Sequence, residues 1–183
     1  MSEEQIIRNC APTLAGIKTA SLFSCNYTNR QEIDASISRL NHRIKQKGLT
    51  AVVLVYVLNS ALIYIYRNIQ LAKDLEKAQA QAILSGLGYG CADLDEYICT
   101  LQERIAFSQE FPHEIGLFLG YPPEDVQGFI HNCAQGYKTV GYWKVYGDAE
   151  KAEQTFSRYR KCSAVLYEQW LQGSSLDRLV VAC

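Results

Sequence analysis

Apolar side chains recur along this chain at two periods. Ile33, Ile37, Leu40 and Ile44 fall four, three and four residues apart, one stripe on an α-helix that Gly48 is placed to end. Ala152, Phe156, Tyr159, Ser163, Leu166, Tyr167 and Trp170 keep a similar spacing on a longer helix, with Asp148 placed to cap it and Gly173 to end it. Residues 51–67, "AVVLVYVL-NS-ALIYIYR", follow the other period. Two β-branched and aromatic runs flank Asn59-Ser60 and predict a hairpin, with Tyr64 and Tyr66 on one face and Ile63 and Ile65 on the other.

The remaining segments fit around these. Residues 3–9 predict a short helical turn. Pro12 is tolerated in a first turn, so "APTLAGIKTASLF" predicts a second helix, followed by a polar loop over 24–30. Residues 69–86 are rich in helix formers and run into Gly86, Gly88 and Gly90. Asp93 with Glu96 resembles a capping box before a helix carrying Leu94, Tyr97, Ile98, Leu101 and Ile105. Two β–α units then follow: "IGLFLGY" before "PPEDVQGFIHNC", and "TVGYWKVYGD" before the long helix. The expected fold is α+β, one domain over residues 1–183. Its sheet is mixed, of about four strands (the hairpin 51–67 plus strands near 115–120 and 139–147), flanked by several helices.

Composition narrows the partners. Hydrophobic residues make up 48% and charged residues 20% of 183, the balance of a chain with a core. Eighteen basic against 19 acidic residues leave a net charge of −1, which argues against a nucleic-acid partner and gives no reason to dock on an anionic membrane. The N-terminus "MSEEQIIRNC" has no apolar signal region. The longest apolar run, 51–58, is far short of the roughly 20 residues that cross a bilayer, so a cytosolic location is expected. The seven cysteines are odd in number and contain no Cys-x-x-Cys pair, so free thiols are expected. With only three histidines, no closed metal site is expected either.

Three long motifs, "CAPTLAGIKTASLFSC", "FPHEIGLFLGYPPEDVQGFI" and "GYWKVYGDAEKAEQTFSRYRKC", together resemble the family known as domain of unknown function 3793. The likeness runs through nearly the whole chain in the same order. It implies a bacterial, single-domain protein, mostly found in Firmicutes, and supplies no activity, cofactor or catalytic residue. The chain departs from the family at "YKTVGYWK", which lacks the cysteines associated with that loop and so offers no thiol there for a metal or redox role.

Four constellations are candidates for chemistry. Cys10 precedes a helix that Pro12 can open, and a helix N-terminus favours a thiolate. With His113 as base, oriented by Glu114, Asn26 or Asp148, it would form the dyad of a cysteine-dependent hydrolase or transferase. The plainer alternative makes Cys10 a small core residue and His113 a strand-entry cap. Gly120-Tyr121-Pro122-Pro123 ends a strand before a helix. Its prolines supply no N–H and Glu124 and Asp125 repel anions, so helix initiation explains it better than phosphate binding. Lys144, opposite Trp143 along a strand, together with Arg158 and Lys161 on one helix face, can receive an acidic ligand or partner, or can be an ordinary solvated face. Finally, Tyr64, Tyr66, Tyr142 and Tyr146 can lie on exposed sheet faces and stack a flat ligand, or simply pack across strands; Tyr121, in the Gly-Tyr-Pro-Pro turn, is a further ligand-binding candidate. No glycine-rich dinucleotide fingerprint is present, so the sequence names no cofactor. The expected function is a small-ligand-binding or accessory protein, with an unknown ligand or protein partner. The Cys10/His113 enzyme is the alternative.

Overall fold

A computed structural model describes residues 1–90, 93–108 and 110–182. Its contacts gather into two compact units, residues 1–70 with 159–183, and residues 71–158.

The first unit is built on the predicted hairpin. Strands β2 (Leu49–Val57) and β3 (Ser60–Arg67) pair antiparallel, and β1 (Ala20–Asn26) adds to the other side of β3, giving the order β1-β3-β2. Ile63 and Ile65 face a core completed by α1 (Glu3–Leu14), α2 (Arg30–Ile44), Leu166 of α8 (Ala149–Leu171) and α9 (Leu176–Leu179). Each large aliphatic side chain so enclosed contributes about 1.5–3 kcal/mol. Tyr64 and Tyr66 share the opposite face, as their spacing requires, but both are buried, with rings stacked 5.0 Å apart. They therefore pack in the core rather than present an exposed face to a flat ligand: β3 is the central strand and is covered on both sides.

Several boundaries differ from the sequence expectation, each for a local physical reason. The first two predicted helices are one, α1, with Pro12 in its last turn, where the missing N–H removes a single helical bond. The chain turns at Gly16, whose φ is +80°, and continues as β1 rather than as helix. Strand β1 alternates from Ser21 onward, with Phe23 and Cys25 each buried between more exposed neighbours. The hairpin turn is Leu58-Asn59, one residue earlier than expected, since Val57 pairs with Ser60. Buried Arg67 ends β3 and donates to the carbonyls of Thr13 and Leu14, at the C-terminus of α1, and to that of Val181.

The second unit is mainly helical. The predicted 69–86 helix is two, α3 (Asn68–Leu75) and α4 (Ala78–Gly86), and α5 (Leu94–Phe107) opens on Asp93, whose side chain accepts from Glu96 N. The expected strand near 115–120 is instead a helical turn, α6 (Ile115–Phe118), followed by a bend at Gly120. Residues 115–119 are all buried, so their run of apolar side chains has no period to separate strand from helix. Tyr121 N bonds back to Gly116 O, and α7 (Pro123–His131) follows. The expected 139–147 strand is only a small hairpin, β4 (Thr139–Val140) with β5 (Lys144–Val145). The fold is α+β, but among the described residues the larger sheet is three-stranded and antiparallel, not mixed and four-stranded.

Candidate functional site

The stretch 111–144 closes around a cavity of about 230 Å³, open on one side, with almost wholly apolar walls. Phe111 and His113 come from the segment before α6, Ile115 and Gly116 from α6, Val126 and Phe129 from α7, and Trp143 and Lys144 from the β4–β5 hairpin, with Tyr121 and Asp125 completing the lining. Close approach of the two helices depends on Gly116: a Cβ there would lie 2.7 Å from Val126 Cγ2. Gly128 does the same on the far side of α7, where a Cβ would lie 2.5 Å from Tyr146 Cγ.

Asp125 holds the hairpin in place. It is only 3% exposed. Its Oδ1 accepts from the backbone N–H groups of Tyr146 and Gly147, both at 2.7 Å, and its Oδ2 accepts from Trp143 Nε1 at 2.7 Å. Three donors compensate the carboxylate in place of a cation. Trp143, fixed by that bond, stacks on Tyr121 at 4.7 Å and meets the edge of Phe156 at 4.6 Å. The Tyr121 hydroxyl donates to Tyr142 O. The first-turn acid and the tryptophan therefore build one wall, a role their sequence positions, 18 residues apart, do not announce.

His113 and Lys144 are the basic groups of the cavity. The exposed His113 ring meets the edge of Phe129 at 4.9 Å, and Lys144 Nζ lies 5.8 Å from the centroid of that same ring and 4.8 Å from that of Tyr137. Lys144 Nζ donates to Ala134 O at 2.9 Å. Among the described residues neither His113 nor Lys144 forms an ion pair.

The remaining sequence candidates lie elsewhere. Cys10 belongs to the first unit and is fully buried there; burial pushes its thiol up to about 12, so it is neutral at physiological pH and offers no thiolate. Glu114, beside His113 in sequence, turns inward. Its carboxylate accepts from Arg104 Nε and from Tyr89 OH, tying α5 to the entry of α6. Desolvation, with the Glu114 charge beside it, raises the Tyr89 phenol well above its ordinary value. Asp148 caps α8, accepting from Lys151 N at 3.0 Å. Tyr146 packs against Gly128 with its hydroxyl buried, while Arg158 and Lys161 belong to α8; none of the three lines the cavity. The cavity thus brings together His113, Tyr121 and Lys144 of the candidates, with neither Cys10, Glu114 nor Asp148. Cys10, Cys25, Cys99, Cys133 and Cys162 are free thiols; Cys91 and Cys183 lie outside the described residues. Among the described residues no cluster of three His, Cys, Asp or Glu side chains is placed to hold a metal ion, and no helix is long and apolar enough to cross a membrane.

Sequence reasoning missed Phe111, Asp125 and Arg67. The signal for Phe111 was present, an aromatic residue next to a proline in a polar stretch, but nothing local says that it rims a cavity. No curated protein and no solved structure matches the chain. One family model does, over residues 6–180, so the chain belongs to the family described as a protein of unknown function, DUF3793.

Proposed function

We propose that the second unit is a binding module for a small, largely apolar ligand about the size of a single ring with a short substituent. The observation that carries this is the cavity itself: about 230 Å³, preformed, and walled by Phe111, Tyr121, Phe129 and Trp143. An apolar cavity of roughly 150 Å³ is enough to take up benzene. Drug-sized or dinucleotide ligands need more, since their pockets run from about 300 to 1,000 Å³. Side chains locked by stacking and by the Asp125 bonds lose little freedom when a ligand enters, which favours affinity.

The chemistry around the cavity favours binding over catalysis. Among the described residues its one carboxylate is already committed to three donors, and no cysteine, serine or threonine lines it to act as nucleophile. The cysteine-dependent alternative draws no support from Cys10, a neutral core thiol.

Trp143 reports on the site directly. In a Trp170→Phe background it is the sole tryptophan, and titration with toluene or benzyl alcohol should change its emission saturably. Ile115→Trp places an indole in the cavity and should abolish binding, followed by ligand-observed NMR with folding checked by circular dichroism. No saturable response in the parent protein, or an unchanged one in a folded Ile115→Trp variant, refutes the reading.

A further inference from the structure

The cavity is apolar, yet among the described residues its two basic side chains have no counter-ion. Lys144 is partly buried, and its ammonium uses one of three donors on Ala134 O. Its surroundings otherwise are the faces of Phe129 and Tyr137, which attract a cation weakly and do not neutralise it. His113 packs on the same Phe129 ring. The nearby carboxylate of Asp125 does not fill the gap, because both of its oxygens point at Trp143 Nε1 and at the Tyr146 and Gly147 N–H groups. A half-buried ammonium normally pairs with an anion or moves out to water. Here it is held at an apolar wall with two donors to spare.

We propose that the occupant of this cavity is a small monocarboxylate with a single-ring or branched apolar body, its carboxylate held by Lys144, with His113 beside it on Phe129. This rests on the binding reading above and adds the ligand's charge. The apolar walls take the body by exclusion of water, and the lysine takes the carboxylate by a charge-assisted hydrogen bond. One lysine suits a single negative charge. A phosphate monoester carries nearly two and has three oxygens to satisfy.

The test compares three ligands of similar shape, benzoate, benzamide and phenyl phosphate, by ligand-observed NMR titration against the 183-residue chain at low salt. Benzoate should bind at least about tenfold more tightly than benzamide, as one charge-assisted bond is worth at least that much. Lys144→Met keeps the apolar stem and should cost benzoate about tenfold while leaving benzamide within about twofold. Benzamide binding as tightly as benzoate overturns the carboxylate assignment and leaves the cavity reading standing. Phenyl phosphate binding tighter than benzoate overturns it as well. Failure of all three, with toluene also silent at Trp143, removes both proposals together. The comparison within the wild-type protein needs no variant, so it decides the matter even where Lys144→Met misfolds.

Discussion

Asp125 makes the site's architecture testable through its hydrogen bonds. Asp125→Asn preserves the shape of the side chain. The amide oxygen can still accept from Tyr146 N and Gly147 N, but the amide nitrogen then faces Trp143 Nε1, donor against donor. A buried donor left without a partner costs about 1–3 kcal/mol, and two bonds weakened by loss of the charge cost about 1 more, so Asp125→Asn should destabilise by about 3 kcal/mol. Trp143→Phe removes the donor, strands Oδ2, and loses part of the contact with Tyr121 and Phe156, for about 2 kcal/mol. In the double variant the opposing donors no longer exist. Its cost should therefore be about 3 kcal/mol, a coupling of about 2 kcal/mol relative to the sum of the singles. Urea unfolding followed by far-ultraviolet circular dichroism measures all four proteins, because Trp143→Phe removes a fluorescent reporter. Additivity within about 0.5 kcal/mol would refute the reasoning, since residues that share no interaction add to that precision.

Two further predictions separate neighbours that the sequence groups together. Glu114→Ala strips the part-buried Arg104 and the Tyr89 hydroxyl of their shared acceptor and should cost about 3–5 kcal/mol, whereas His113→Ala, at the exposed rim, should cost under about 1 kcal/mol; thermal unfolding of the two variants should differ accordingly. Iodoacetamide at pH of about 8, just below the ordinary thiol range, should label the exposed Cys99 and Cys133 and spare Cys10, as read by peptide mass spectrometry, and rapid labelling of Cys10 in the folded protein would contradict its burial. The raised Cys10 pKa also fixes a sign. The folded state holds the thiol proton more firmly than the unfolded chain, so this group's contribution to stability is full below about 9.0, the ordinary value, and is lost as pH rises to about 12.

The local code was legible wherever a signal is carried by neighbours in sequence. The stripe Ile33, Ile37, Leu40 and Ile44 and the caps at Asp93 and Asp148 stand where spacing and residue type put them, and the hairpin of β2 and β3 does so but for one residue at its turn. The two failures of element type have separate causes. Residues 115–119 are buried on every side, so they carry no periodicity; β1 alternates over too few residues, after a proline that misleadingly suggested a helix start. The family, too, was readable from the three long motifs, and the match over residues 6–180 shows it.

The candidate site was legible only in part. His113, Tyr121 and Lys144 could be singled out as residue types worth placing, but their shared cavity depends on α6, Gly116 and the β4–β5 hairpin, none of which a local pattern specifies. His113 and Glu114 form the clearest example. Adjacent in sequence and chemically alike in promise, they diverge because Arg104 and Tyr89 capture the carboxylate while Phe129 receives the imidazole. The sequence by itself determined α2, α5, α7 and α8, the hairpin, the caps and the balance of charge, because these follow from interactions within a few residues. Tertiary structure alone decided that Cys10 is buried in the core, that Glu114 and Asp125 are spent on holding elements together, and that Lys144 is left with an ammonium facing an apolar cavity. Those outcomes depend on desolvation and on partners 10 to 22 residues away or more, and burial is a property of the packed chain, not of any segment of it.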